Sequence, residues 1–406
     1  MQALTQVVAA LAGVAVVRHL PVSDFAIYAV ALSVQSALAV LSDVGVTTLL
    51  LARAGEFHAD LHRVAVLART ARAFRLRLLV GCLVIAAPLL WFSLGQSRPA
   101  LPMWIVIFLV VCSIVTMQVA SSLDGTLLLC LLKTERQQIG QLANAAARLA
   151  GFLTVLAAVP SYLIALGINL LGVGIQANLY RRDLQHALPP TRSESLEDHA
   201  AFRYFARSQF INAAYYAFSS QITLWIVGIV ATTRVVAEVG ALGRLSNIIV
   251  LAQAAVLGLV VPRLARYRDP RLFSLRFFQV VGMACLASLL LLGFAVVAPE
   301  ALLWVIGPKY ANLSPVLPLA IAAAVTYTLS ITIFGLNSAK AWFEYNWVAV
   351  PLTLLTQAVS LKILDIATIR GALIFGWITV IPPLLVNAAI SWNGLRRSIA
   401  AIPRPT

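Results

Sequence analysis

Apolar stretches long enough to cross a lipid bilayer follow one another along almost the whole chain, and this recurrence limits the fold more than any other feature. A bilayer core about 30 Å thick takes about 20 apolar residues per helix. Of the 406 residues, 61% are hydrophobic and only 11% are charged, with a mean hydropathy of +0.91. Soluble domains carry about 45–50% apolar and about 25% charged residues, so the solvent that accepts this surface is lipid.

Apolar length and polar interruptions divide the chain into about twelve transmembrane helices. They are expected near 2–17, 25–51, 78–95, 102–132, 139–159 and 161–180, then near 208–231, 237–261, 276–298, 313–336, 342–363 and 368–392. The one long polar stretch, 181–207, separates the two sets. The expected architecture is therefore an all-α polytopic membrane protein. A six-helix bundle at 1–180, a cytoplasmic linker at 181–207, a second six-helix bundle at 208–392 and a cytoplasmic tail at 393–406 would surround a central cavity.

The net charge of +15 has a topogenic explanation, because cytoplasmic loops of membrane proteins collect Lys and Arg. With the helices numbered in this order, the connections 2–3, 4–5, 6–7, 8–9 and 10–11 and the C-terminal tail hold 22 of the 30 lysines and arginines. The 2–3 connection alone has Arg53, Arg63, Arg69, Arg72, Arg75 and Arg77. Both termini are thereby expected in the cytoplasm, in the cell inner (plasma) membrane. The stretch before helix 1 has no basic side chain and orients that helix only weakly. The same basic excess suits anionic membrane lipids as partners, and no nucleic acid is needed to explain it. No cleavable signal is evident. Within 53–77, Phe57, Leu61, Val64, Ala68 and Ala71 fall at helical spacing among arginines, which suggests an amphipathic helix on the cytoplasmic surface. A solvated basic connector is the alternative.

Ionisable groups at membrane depth carry the functional signal, since each costs about 2.5–3.5 kcal/mol at a helix centre. Gln141, Asn144 and Arg148 share one face of helix 5, and Arg244 and Asn247 one face of helix 8. Asn212 and Tyr215 belong to a polar stripe on helix 7. Arginine binds phosphate oxygens bidentately and keeps its charge, so a cavity with an arginine from each half would suit an anionic substrate. In the alternative, Asp43 or Asp124 pairs with Arg148 inside one half. Asp43 and Asp124 are also candidates for proton or sodium coupling, and Asp43 could simply cap a helix break at "SDVG". Cys82, Cys112, Cys130 and Cys285 lie in apolar stretches without metal-ligand spacing, and no cofactor or metal is expected. No paired carboxylates, metal-spaced histidines or nucleophile motif appear. His58 and His62 share an i,i+4 spacing that an amphipathic surface explains, and an enzyme is not expected.

The halves also resemble each other, each with its basic connection between its second and third helices. Helix 2 ends in "LLLARAGE" and helix 8 in "PRLARYRD". Such repeats are common in transporters. The segments "RHLPVSDFAIYAVALS" (18–33), "SDVGVTTLLLAR" (42–53), "VGALGRLSNIIVLAQAAVLGLVVPRLARY" (239–267) and "GPKYANLSPVLPLA" (307–320) resemble the polysaccharide flippases of the multidrug/oligosaccharidyl-lipid/polysaccharide transporter superfamily. The resemblance implies alternating access and an undecaprenyl-diphosphate-type lipid-linked saccharide substrate. It further implies polysaccharide polymerases and glycosyltransferases as partners in cell-surface polysaccharide biosynthesis, including O-antigen and lipopolysaccharide. Arg148 and Arg244 are the positions that could meet the diphosphate, with Arg18 and Arg53 behind them. The chain departs from the pattern by beginning almost at helix 1 and by lacking the two extra C-terminal helices that some relatives carry. A small-solute or drug exporter with the same two-bundle plan is the competing reading. A major-facilitator transporter is less consistent with the 2–3 connection, which lacks that group's Gly-x-x-x-Asp-Arg signature.

Overall fold

In a computed structural model the chain is described over residues 1–400, apart from 57–59, 96–98, 192, 220, 266, 268, 341 and 343. Sixteen α-helices account for nearly all of it: α1 (Gln2–His19), α2 (Val22–Asp43), α3 (Val46–Glu56), α4 (Leu61–Ser93), α5 (Leu101–Cys130), α6 (Thr134–Ala158), α7 (Tyr162–Gln185), α8 (Leu196–Ser219), α9 (Ile222–Val230), α10 (Thr233–Ala265), α11 (Pro270–Val297), α12 (Pro299–Ile306), α13 (Leu317–Ser338), α14 (Ala349–Ile363), α15 (Ile369–Ile378) and α16 (Ile381–Ala400).

Among the described residues, nine helices are long and apolar enough to cross a membrane. A tenth span comes from Gln209–Ser219 and Ile222–Val230, taken together across a 49° bend. α10 supplies 33 residues and the shorter α14 fifteen, which reproduces the twelve segments read from the sequence. The expected second span is split into α2 and α3 at Val44 (φ 37°) and Gly45 (φ +77°), whose left-handed backbone interrupts the helix. A side chain at Gly45 would also meet the Phe205 ring at 2.6 Å, so backbone and packing both require glycine there.

The basic segment expected on the membrane surface lies elsewhere. It forms the first half of α4, which runs unbroken from Leu61 into the apolar span. Val64, Leu67, Ala68 and Ala71 are buried with Val46, Leu50, Leu123, Leu127, Tyr180 and Phe202 in one core. The amphipathic periodicity is real, but its apolar face is covered by α3, α5, α7 and α8 rather than by lipid. Phe57 and His58 lie outside the described residues.

The chain divides into two compact units, Met1–Ala237 and Glu238–Thr406. This boundary falls inside α10 rather than in the polar 181–207 stretch, because α8 and α9 pack on α2 and α4 of the first unit. Trp225 on α9 donates its indole N–H to Ser33 Oγ on α2 at 2.8 Å. Gly228 passes so close to the end of α4 that a Cβ there would lie 2.1 Å from the Ser93 carbonyl oxygen. In the second unit, α13 and α16 are joined by a buried polar ladder. Asn337 Nδ2 donates to the Asn387 carbonyl at 3.0 Å, Ser391 Oγ to Asn337 Oδ1 at 2.6 Å, and Asn387 Nδ2 to Ser330 Oγ at 3.3 Å. Hydrogen bonds of this kind hold membrane helices together where apolar burial against lipid gives no preference.

Candidate functional site

The polar residues of the first unit gather at the α2–α3 break. Asp43 ends α2, and its carboxylate caps α3: Oδ1 accepts from the Thr47 amide at 3.2 Å and Oδ2 from the Thr47 hydroxyl at 2.7 Å. The capping role expected of "SDVG" is thus present. Asp43 also has a second partner, because Arg75 Nη2 on α4 approaches Oδ1 at 3.3 Å. Arg75 is the more buried partner, with 4% of its side chain exposed against 27% for Asp43. Its Nη1 donates to the Val119 carbonyl at 3.1 Å and to Ser122 Oγ at 2.7 Å, both on α5. Its Nε is buried without a hydrogen-bond partner among the described residues.

A cavity of about 400 Å³ opens over this pair. Its polar lining comes from Asp43, Thr47, Arg75, Gln118, Ser122 and Thr126, and its apolar wall includes Val40, Val119 and Ala213. Gln118 Oε1 accepts from Gln35 Nε2 at 2.7 Å, which fixes the orientation of the amide. An apolar-walled cavity with a few convergent polar groups is the usual form of a small-molecule site.

Two further carboxylates of this unit, Asp124 and Asp198, are also matched by arginines. Asp124 on α5 accepts from Arg72 Nη2 at 2.6 Å. Asp198 is wholly buried between Arg53 and Arg63, with Arg63 Nη1 at 3.1 Å from Oδ2. The local sequence accounts for this geometry: Ser195 Oγ accepts from the Asp198 amide at 3.2 Å at the start of α8, which is helix N-capping. Thr70 Oγ1 on α4 accepts from the Ser195 amide at 3.0 Å, and His199 Nε2 lies 2.9 Å from Glu194 Oε2. The hydrogen bond with His199, helped by Arg77 and Arg69, holds the Glu194 carboxyl below its ordinary range.

These pairings correct several expectations. Neither Asp43 nor Asp124 pairs with Arg148; their partners are Arg75 and Arg72, both counted from the sequence as loop cations. As coupling carboxylates, both are already compensated by a guanidinium. Arg53 is bound up with Asp198 in an interhelical clamp instead of lining the cavity. Arg18 is an exposed residue at the end of α1. Arg75 is the residue the sequence reading missed. The amphipathic helix that carries it was expected on the membrane surface, and Asp43 on a separate helix was the only signal of a partner.

The α6 stripe is assembled as a network. Asn144 Nδ2 donates to Gln176 Oε1 at 2.7 Å, Gln176 Nε2 to Tyr180 OH at 3.2 Å, and Tyr180 OH to the Gln137 carbonyl at 2.6 Å. Arg148 is half-buried beside it, its guanidinium 6.0 Å from the Phe152 ring centre and its Nε without a hydrogen-bond partner among the described residues. Gln141 is half-buried on the same helix. In the second unit Arg244 is half-buried and Asn247 exposed on α10, and Tyr215 is half-buried on α8 in the first. The side chain of Asn212 lies outside the described residues.

No family model matches the chain, and no curated protein matches it. Among solved structures it is similar over 98% of its length to a multidrug resistance MATE family transporter of the MOP superfamily in an inward-facing conformation, with a TM-score of 0.63 at 14% identity and 95% of that chain covered. It is similar to a MATE protein in complex with MaL6, with a TM-score of 0.60 at 13% identity over 98% of this chain and 93% of that one. A eukaryotic MATE transporter, AtDTX14, gives a TM-score of 0.58 at 11% identity, with 97% of each chain covered. At these identities the likeness concerns the fold, and on that ground the chain has the all-α, polytopic fold of MATE transporters, about twelve membrane helices in two bundles.

Proposed function

We propose that the protein is an alternating-access exporter of small organic solutes across the plasma membrane. The observation that carries this reading is the end-to-end likeness in fold to a multidrug resistance transporter. The cavity of about 400 Å³ over Asp43 and Arg75 supports it, since its volume and mixed lining suit a small organic molecule. No bond is made or broken: the solute exchanges water for the cavity lining and leaves on the other side. The test is accumulation of a fluorescent dye panel in cells with and without the protein. Lower steady-state accumulation, restored to the control level by disrupting the membrane gradients, supports export. Equal accumulation of every dye refutes it.

A second reading, a flippase for a lipid-linked saccharide that works with polysaccharide polymerases and glycosyltransferases, is favoured by the four matching sequence segments and by Arg148. That residue makes no ion pair among the described residues. On this reading a diphosphate headgroup would meet Arg148 and Arg244. Arg148→Ala and Arg244→Ala would each abolish headgroup translocation without loss of membrane insertion, and lysine would rescue only partly. Wild-type flux in both alanine variants would exclude it.

A further inference from the structure

We propose that the cavity over Asp43 and Arg75 selects solutes bearing one positive and one negative group, and discriminates against solutes with a net charge; this rests on the exporter reading. The argument is one of charge balance. Asp43 and Arg75 lie 3.3 Å apart on the cavity wall and neutralise each other. The nearest other carboxylate on α5, Asp124, is matched by Arg72 at 2.6 Å, and α3 and α8 contribute no charged residue to the lining. Among the described lining residues the charges therefore balance, and the wall is strongly dipolar.

Burying an uncompensated charge is far costlier than burying a matched pair. An ammonium bound to Asp43 alone would draw the carboxylate from Arg75 and leave one positive charge without a partner. A carboxylate bound to Arg75 alone would orphan Asp43. A zwitterion supplies both partners at once, its ammonium to the half-exposed Asp43 and its anion to the Arg75 side. Thr47, Ser122 and Thr126 hydroxyls and the Gln118 amide line the remaining polar wall.

The test uses three probes of one shape: phenylalanine, phenethylamine, which lacks the carboxylate, and 3-phenylpropanoate, which lacks the ammonium. Each is measured by equilibrium dialysis against the full-length protein in nanodiscs at neutral pH. Phenylalanine is expected to bind at least about tenfold more tightly than either relative. Arg75→Gln should shift preference to phenethylamine, and Asp43→Asn to 3-phenylpropanoate. Should a single variant fail to fold, Asp43→Asn combined with Arg75→Gln keeps the cavity neutral and should erase the preference for phenylalanine. Equal affinity for all three probes, no binding of any, or an order unchanged in the variants overturns the proposal. Dye export without selective binding would sink this inference and leave the exporter reading intact. Selective binding without export of any solute would do the reverse.

Discussion

Replacing Asp198 by alanine tests the packing of the first unit at its most concentrated point. Asp198 is wholly buried, is held by the Ser195 cap at the start of α8, and bridges Arg53 on α3 and Arg63 on α4. Removing one member of a buried ion pair costs about 3–5 kcal/mol, because the remaining charge is left without a partner. Here the two arginines retain 23% and 28% side-chain exposure, so water recovers part of their solvation. The expected loss is about 2–3 kcal/mol for Asp198→Ala. For a unit of this size that corresponds to a fall in melting temperature of roughly 5–10 °C. The assay is thermal unfolding of detergent-purified protein, run as a double-mutant cycle with Arg53→Ala. The double variant should be destabilised by clearly less than the sum of the singles. An Asp198→Ala protein that melts with the wild type would refute the clamp, and strict additivity would refute the pairing.

Gly228→Ala would drive a methyl group into the Ser93 carbonyl, 2.1 Å away; a loss of about 1–3 kcal/mol is expected from overpacking, read as reduced yield of folded protein, and an unchanged melting curve would contradict the close approach of α9 to α4. Tyr180→Phe removes a hydroxyl that donates to the Gln137 carbonyl and accepts from Gln176, for an expected loss of about 1–2 kcal/mol in thermal unfolding. Burial lowers the Lys309 ammonium from 10.5 to about 8. The unfolded chain therefore holds that proton more tightly, and this group's contribution to stability should rise between pH 8 and 10.5. Titration of the ¹³C-dimethylated amine by NMR should give a midpoint near 8, and a midpoint at the ordinary lysine value would refute its burial. Cysteine placed at Arg69 should react with an impermeant thiol reagent only from the cytoplasmic side and cysteine at Lys309 only from outside. The opposite pattern would invert the topology inferred from the basic loops.

The helices were legible because lipid demands length and apolarity, and both are written locally. The division between the expected spans 139–159 and 161–180 lies at Pro160, which cannot continue a helix, and α6 ends at Ala158. Positions where a helix breaks without losing its hydropathy were not legible. α8 and α9 read as one span because the bend near Gln221 leaves the apolar pattern intact, and the α2–α3 break was marked only by the "SDVG" cap inside an otherwise continuous apolar run. The cavity was half legible. Asp43 stood out as a charge in an apolar run. Arg75 did not, because hydropathy assigns a segment with six arginines to water, while its helical phase places Arg75 on the same buried side as Leu67 and Ala71. Which arginine meets which carboxylate depends on how α2, α4 and α5 pack, and no local pattern encodes that.

Flux of both classes of cargo through one preparation tests the account most directly. Purified protein in proteoliposomes would be given a fluorescent organic dye in one arm and an undecaprenyl-diphosphate-linked saccharide in the other, with an imposed ion gradient and protein-free vesicles as the reference. The account predicts gradient-dependent dye transport that Asp43→Asn reduces, with saccharide headgroups crossing no faster than in protein-free vesicles. Saccharide translocation with no movement of the dye would contradict it and favour the flippase.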